Sequence, residues 1–154
     1  AAYFKENKKN YTWEAPRFKG YIIQAKDMAS AKAAKQIIKN ADPDSVMSYL
    51  NQHVNVDSIT YVKVQRGLWE EGKNAMVDKY AFKNKSVEFT ASEEFPVVLP
   101  VGKVIKAPQE YMDVRGQVTT DYQDYLEAQW VAMLREKYAV VVNQEVLERL
   151  VMGK

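Results

Sequence analysis

The run Gly67-Leu68-Trp69-Glu70-Glu71-Gly72-Lys73-Asn74 has the spacing of a phosphate-binding loop, with two glycines separated by four residues and a lysine after the second. That chemistry needs Ser or Thr after the lysine to reach magnesium, and Asn74 stands there instead. Glu70 and Glu71 would also aim negative charge at the phosphates, so the run reads as a loop leading into a short helix. His53 is the one histidine, which leaves histidine-based metal sites and a Ser-His-Asp arrangement without material; beside Gln52 and Asn55 it reads as an exposed loop residue. With no cysteine there is no disulfide framework and no thiolate metal site. The pairs Glu70–Glu71 and Glu93–Glu94 resemble acid/base partners only on paper, because adjacent side chains usually point apart; a charged rim is the simpler reading. Neither a metal nor a cofactor is expected. The sequons Asn10-Tyr11-Thr12 and Asn84-Lys85-Ser86 are short enough to arise by chance.

What the chain does have is aromatic surface with polar tips, in ten tyrosines and three tryptophans. Such side chains give large contact area at low entropic cost, which suits a groove holding extended peptide, and they serve equally well as half-buried core. Core is the default for most of them. Trp69, between glycines and charges, is the exception and the leading candidate for a binding surface.

The elements that must position these residues follow from periodicity and turn chemistry. Residues 1–12 read as a lysine-rich helical end or linker, broken before Pro16. Phe18 to Lys26 reads as a strand, and the consecutive Ile22–Ile23 predicts burial on both faces and a central place in a sheet. Ser30 is the expected N-cap of a helix with Ala34, Ile37, Ile38 and Ala41 facing inward. Asp42 or Asp44 is expected to start a second helix with Val46, Met47 and Leu50 in the core. Ser58 to Gln65 reads as a strand and Arg66-Gly67 as a turn, followed by a short helix ending near Phe82. Val87 to Thr90 and Phe95 to Ile105 read as two more strands, the second interrupted by Pro100 and Gly102 in a way that suits an edge.

Thr119 to Tyr138 is the strongest helix signal. Tyr122, Leu126, Trp130, Leu134 and Tyr138 recur every four residues, with Tyr125 and Met133 beside them, so this helix is expected to lie against something. Thr120 with Gln123 reads as its capping box. Ala139 to Val142 reads as extended, and Asn143 as the cap of a last helix, QEVLERLVM. The predicted fold class is α+β with a small, mostly antiparallel sheet and a long C-terminal helix, in three parts: 1–16, 17–108 and 109–154.

A length of 154 residues with 47% apolar composition supports one ordinary domain and an appendage. The net charge of +2 conceals an asymmetry, since residues 1–40 hold nine Lys or Arg against three acids while the remainder is net acidic. There is no arginine cluster with interleaved aromatics, so nucleic acid is not the expected partner. The longest apolar run is too short to span a bilayer, so membrane insertion is not expected. The opening AAYFKENKKNY reads as the tail of a helix already under way, which implies a fragment of a longer chain.

The ending from Arg115-Gly116-Gln117-Val118 through Tyr125-Leu126, Trp130 and Leu134-Arg135-Glu136-Lys137-Tyr138 resembles the segment that closes bacterial SurA-like and PpiC-type peptidyl-prolyl isomerase chaperones. Tyr3-Phe4-Lys5-Glu6-Asn7, then Pro16-Arg17-Phe18-Lys19-Gly20-Tyr21-Ile22-Ile23, is similar to the entry into their parvulin domain. The resemblance implies a parvulin-like fold over residues 17–108 without a cofactor, and places Tyr21 where the family's first-strand histidine stands. Arg66-Gly67-Leu68-Trp69 falls at the family's substrate turn, and Met76 or Val77 and then Phe82 at its aromatic pocket positions. The region of the family's second histidine, Phe95-Pro96-Val97-Val98-Leu99, has none.

With both histidines replaced, the resemblance implies binding of unfolded or proline-containing polypeptide with weak or no isomerase activity. Tyr21 is the candidate catalytic donor, and Leu68, Trp69, Met76, Val77 and Phe82 the candidate substrate-binding residues. The alternatives are an active isomerase and a structural or dimerisation module self-associating through the Tyr122, Trp130 and Tyr138 face. The family further implies a periplasmic or cell-envelope location, outer-membrane client polypeptides, and N-terminal chaperone helices against which the long helix braces.

Overall fold

The computed structural model describes residues 1–138 and 142–153. It is an α+β protein made of two compact units, Lys8–Gln109 and a second formed by Ala1–Asn7 with Glu110–Lys154.

The first unit is built on three antiparallel strands, β1 (Arg17–Ala25), β2 (Val62–Glu70) and β3 (Val97–Ile105), in the order β2-β1-β3. The expected central strand is central: Ile22 and Ile23 are both fully buried, and because successive side chains on a strand point to opposite faces, each enters a different core. Directly opposed residues share a face, so the register sorts every strand position. Tyr21, Ile23 and Ala25 lie with Val62, Val64, Val97, Leu99 and Val101. This face is covered by helices α2 (Met28–Asn40) and α3 (Val46–His53) through Ala31, Ala34, Val46 and Leu50. Phe18 and Ile22 face the other way, with Trp69 and Val98, under the short helix α4 (Ala75–Tyr80) and the segment after it.

Several local expectations are corrected. The N-cap of α2 is Asp27, not Ser30; the Ser30 backbone N–H donates to Asp27 Oδ1 at 2.7 Å and its hydroxyl to Oδ2 at 2.9 Å. Neither Asp42 nor Asp44 starts α3, whose N-cap position is Ser45. Met47, expected in the core, is half exposed on the outer side of α3, whereas Val46 and Leu50 are buried. Strand β2 begins four residues later than its apolar run suggested. Asn55 Oδ1 accepts from the N–H groups of Tyr61 and Val62 and its Nδ2 donates to the Val62 carbonyl, so a loop with Asp57 and Ser58 at positive φ runs up to Val62. Arg66-Gly67 is no turn: both residues are mid-strand, paired with Tyr21 and Gly20. Val87 to Thr90 is not a strand; Phe89 instead packs into the second core. Strand β3 runs through Pro100 and Gly102 without a break, and it is an edge strand, where a missing N–H is tolerated.

Glycine is required where β1 meets β3. Gly20 and Gly102 are direct partners, and a Cβ on either would run into the carbonyl oxygen of Val101 or of Lys19. Gly102→Ala should therefore force the central pair apart and lower stability by about 2–3 kcal/mol, measured as a fall in the urea midpoint with unchanged m-value.

The second unit contains α1 (Ala2–Glu6), a 3-10 turn (Tyr111–Val114), α5 (Arg115–Lys137) and α6 (Gln144–Met152). The proposed Thr120–Gln123 cap is overturned because α5 starts at Arg115, and the Thr119 and Thr120 hydroxyls donate back to the Arg115 and Gly116 carbonyls within the helix. A capping box does occur upstream, between Glu110 and Asp113. Asn143 caps α6 as expected, accepting from the Val146 N–H at 3.3 Å. The predicted extended stretch Ala139 to Val142 lies, for residues 139–141, outside the described residues.

The apolar stripe of α5 is largely open. Of the residues in this helix only Val118 is buried; Tyr122 and Tyr125 meet the ring of Tyr3 on α1, and Trp130 remains 58% exposed. The four-residue spacing explains this. At about 100° per residue each step advances some 40° around the helix, so Tyr122, Leu126, Trp130, Leu134 and Tyr138 trace a spiral rather than one face. No single flat partner within the unit can cover it.

Hydrogen bonds from the Ser30 backbone N–H and hydroxyl hold the exposed Asp27 carboxyl below its ordinary pKa. A depressed carboxylate adds stability that is complete above its unfolded value of ~3.9 and is lost as pH falls through its folded value. Asp27→Asn, which keeps an accepting oxygen, should leave stability near pH 7 little changed and make the loss below about pH 4 less steep, read from thermal melts between pH 2.5 and 7.

Candidate functional site

Trp69 anchors the aromatic group on the α4 face of the sheet. It is the penultimate residue of β2, not a loop residue, and pairs with Phe18 in register. The two rings stack with centroids 6.1 Å apart and 23° between planes. Gly67, two residues earlier on the same face, lets the indole lie flat against the strand: a Cβ there would stand 2.8–3.0 Å from the Trp69 ring atoms. Gly20 and Gly102 extend this row across the sheet, so three strands in succession present backbone instead of side chain beside the indole.

Around this anchor the remaining candidates separate by burial. Val77 is completely buried and Met76 nearly so, packed on Phe18 and Ile22; they are core and have no open face to offer a ligand. Phe82 and Trp69 are half-buried at the margin of the same cluster, and Val104, opposite Phe18, is 45% exposed. The accessible part of this face is therefore narrower than the sequence reading, comprising Trp69, Phe82, Val104 and the glycine row.

Tyr21 does not belong to it. The expected groove combined Tyr21 with Trp69, Met76 and Phe82, but Tyr21 packs with Ile23 and Val101 on the opposite face, under α2 and α3. Leu68 pairs with Lys19 and so falls on the Tyr21 side as well. The cause is strand parity: Trp69 shares the face of its partner Phe18, and Phe18 and Tyr21, three apart on one strand, point to opposite faces.

The phosphate-loop spacing dissolves in three dimensions. Gly67 lies in mid-strand, Glu70 pairs with Arg17 at 3.1 Å, and Asn74 caps α4 by accepting from the Val77 N–H at 3.2 Å. The Arg17 guanidinium also stacks over Trp13 at 4.6 Å, clamping the end of the strand pair. Glu93 and Glu94 are exposed in a bend. His53 ends α3, exposed and stacked on Tyr49. It borders a cleft of about 330 Å³ together with Asn40, Asp42 and Tyr49.

One positioning residue was missed. Asp78 is 4% exposed, and its Oδ1 accepts from the N–H of Gly72, whose φ of 86° makes the turn after β2. Its own carbonyl accepts from the Asn84 N–H at 2.9 Å, so one residue fixes both loops flanking α4. The signal was a turn glycine six residues before an aspartate at the fourth position of a short helix.

Among the described residues no group of three His, Cys, Asp or Glu side chains is placed to hold a metal ion, and no helix is long and apolar enough to cross a membrane. Comparison of the chain with family models, with curated proteins and with solved structures gave no match.

Removing the buried Asp78 carboxylate takes the charged acceptor away from the Gly72 N–H. Asp78→Ala should cost about 2 kcal/mol and loosen residues 71–74, detected as faster amide exchange at Gly72, whereas Asp78→Asn should retain most of the stability.

Proposed function

We propose that residues 17–108 act as a parvulin-like domain of an exported chaperone, binding unfolded or proline-containing polypeptide with weak or no isomerase activity. The observation that carries this reading is Trp69 lying flat and half-buried on Gly67, beside a row of backbone, with Phe82 at the margin of the same cluster and Val104 across Phe18. An indole face, a second aromatic and a strip without side chains can receive an extended chain and its apolar side chains at little entropic cost. A first strand buried at the centre of the sheet supports the reading.

Prolyl isomerisation breaks no covalent bond; the barrier of ~20 kcal/mol is amide resonance. Lowering it takes a site that holds the proline ring and favours the twisted amide over the planar one. Trp69 and Phe82 supply apolar contact. The hydroxyl proposed to replace the family histidine, that of Tyr21, belongs to the opposite face, so the surface has aromatic grip without that donor. Binding with little acceleration is the balance this chemistry favours.

The decisive measurement is NMR exchange spectroscopy on a proline-containing peptide with and without the protein. Peptide-induced shifts should centre on Trp69, weaken at least about five-fold in Trp69→Ala, and stay unchanged in Tyr21→Phe, with no rise in cis/trans exchange. Exchange acceleration abolished by Tyr21→Phe would establish an active isomerase and overturn this reading.

A second reading, a self-association module, is favoured by the open spiral on α5, where Tyr122, Leu126, Trp130, Met133 and Tyr138 are all more than two-fifths exposed. Sedimentation velocity separates it: a dimer lost in Trp130→Glu supports it, and a monomer at high concentration rejects it.

A further inference from the structure

The second unit contains a cleft that the proposed polypeptide surface does not use. It has a volume of about 500 Å³, and beside the first two alanines and Thr119 its lining includes Tyr3 and Glu6 of α1, Tyr111 of the 3-10 turn, and Val118, Tyr122 and Tyr125 of α5. Four of ten tyrosines in the chain converge here, which no periodicity within α5 alone requires. The rings of Tyr3, Tyr122 and Tyr125 form one continuous wall. Tyr3 stands 5.4 Å from Tyr122 and 5.3 Å from Tyr125, tilted by 54° and 45°, while Tyr122 and Tyr125 lie 22° from parallel at 6.3 Å. Tyr122 and Tyr125 each keep 43% of their surface open, so ring faces remain available. Val118, at 2% exposure, closes the floor. The Tyr111 hydroxyl is held 3.5 Å from Thr119 Oγ1.

Among the lining side chains Glu6 is the one carboxylate and none is basic. A wall of π-faces with one carboxylate at its edge has a definite preference. The ring quadrupole attracts cations, and the carboxylate adds a directed charge with two accepting oxygens. An anion would meet both the negative ring faces and Glu6. Of the cationic groups, guanidinium fits best, because its plane can stack on tyrosine while its edge pairs with a carboxylate; an ammonium does one or the other. The volume exceeds that of a single guanidinium and leaves room for flanking main chain, whose carbonyls the tyrosine hydroxyls can meet as donors.

We propose that this cleft is a binding site for an arginine side chain presented by an extended polypeptide. The site is separate from the Trp69 surface and stands whether or not that surface binds peptide.

The test is a titration of the full chain, followed by 1H–15N NMR, with the peptide acetyl-Gly-Gly-Arg-Gly-Gly-amide and with the same peptide carrying citrulline, the neutral isostere of arginine. The arginine peptide should give saturable shifts at Tyr3, Glu6, Tyr122 and Tyr125, and the citrulline peptide should bind at least about five-fold more weakly. Glu6→Gln, an exposed change that leaves the ring wall intact, should weaken the arginine peptide by a similar factor, and raising the salt to 0.5 M should weaken it further. Tyr122→Phe keeps the ring and should retain binding within about two-fold; Tyr122→Leu should lose it. Should Tyr122→Leu fail to fold, the citrulline comparison and Glu6→Gln decide the matter alone. Equal binding of the two peptides, an unchanged affinity in Glu6→Gln, shifts centred elsewhere, or no saturation at millimolar peptide would each overturn the proposal.

Discussion

The fold of residues 8–109 hangs on one pair of adjacent side chains. Ile22 and Ile23 stand next to each other at the middle of the central strand, and the pleat sends one into each core. Burying such a side chain stabilises by roughly 1.5–3 kcal/mol, so neither can be released to solvent cheaply. Their joint burial forbids a one-residue slip of β1, because a slip would exchange the two faces. Once that register is set, the partners of every residue on β2 and β3 are set too. The helix pair α2–α3 then has one apolar face to cover and α4 with its following segment has the other.

The same constraint shapes the candidate site. Trp69 reaches the α4 face because it pairs with Phe18, and Tyr21 reaches the helix-pair face because it precedes Ile22 by one. An aromatic surface and a hydroxyl that look adjacent along a motif are thus divided by the thickness of a sheet. The glycine row has the same origin. Gly20 and Gly102 permit a main-chain approach that no Cβ survives, and Gly67 gives the indole a place to lie. Close backbone approach and a flat aromatic seat are two consequences of one cross-strand alignment.

In the helical unit the governing feature is a mismatch of periods. A repeat of four residues on a helix of 3.6 winds around the axis. One end of the spiral closes on Tyr3 and builds the tyrosine cleft, and the other end, around Trp130, stays open. Had the spacing alternated three and four, the same residues would have made a single buried seam.

Residue types and spacing alone determined the α+β class, the central strand, the helix faces built on Ala34, Ile37 and Leu50, the edge character of the proline-bearing strand, and the Asn143 cap. Each of these rests on local periodicity or on one residue's own backbone chemistry. What only tertiary structure decided depends on partners distant along the chain. Gly67 is a strand residue because Gly20 faces it, and Asn55 delays β2 through three hydrogen bonds across the loop. Val87 to Thr90 has strand-forming composition but pairs with no strand, and it spends Phe89 on the second core instead. Asp78 gains its role from a glycine at the far side of a turn. The division of Tyr21 from Trp69 is the sharpest case: parity across a sheet is set by which residues pair, and pairing is a property of the folded chain.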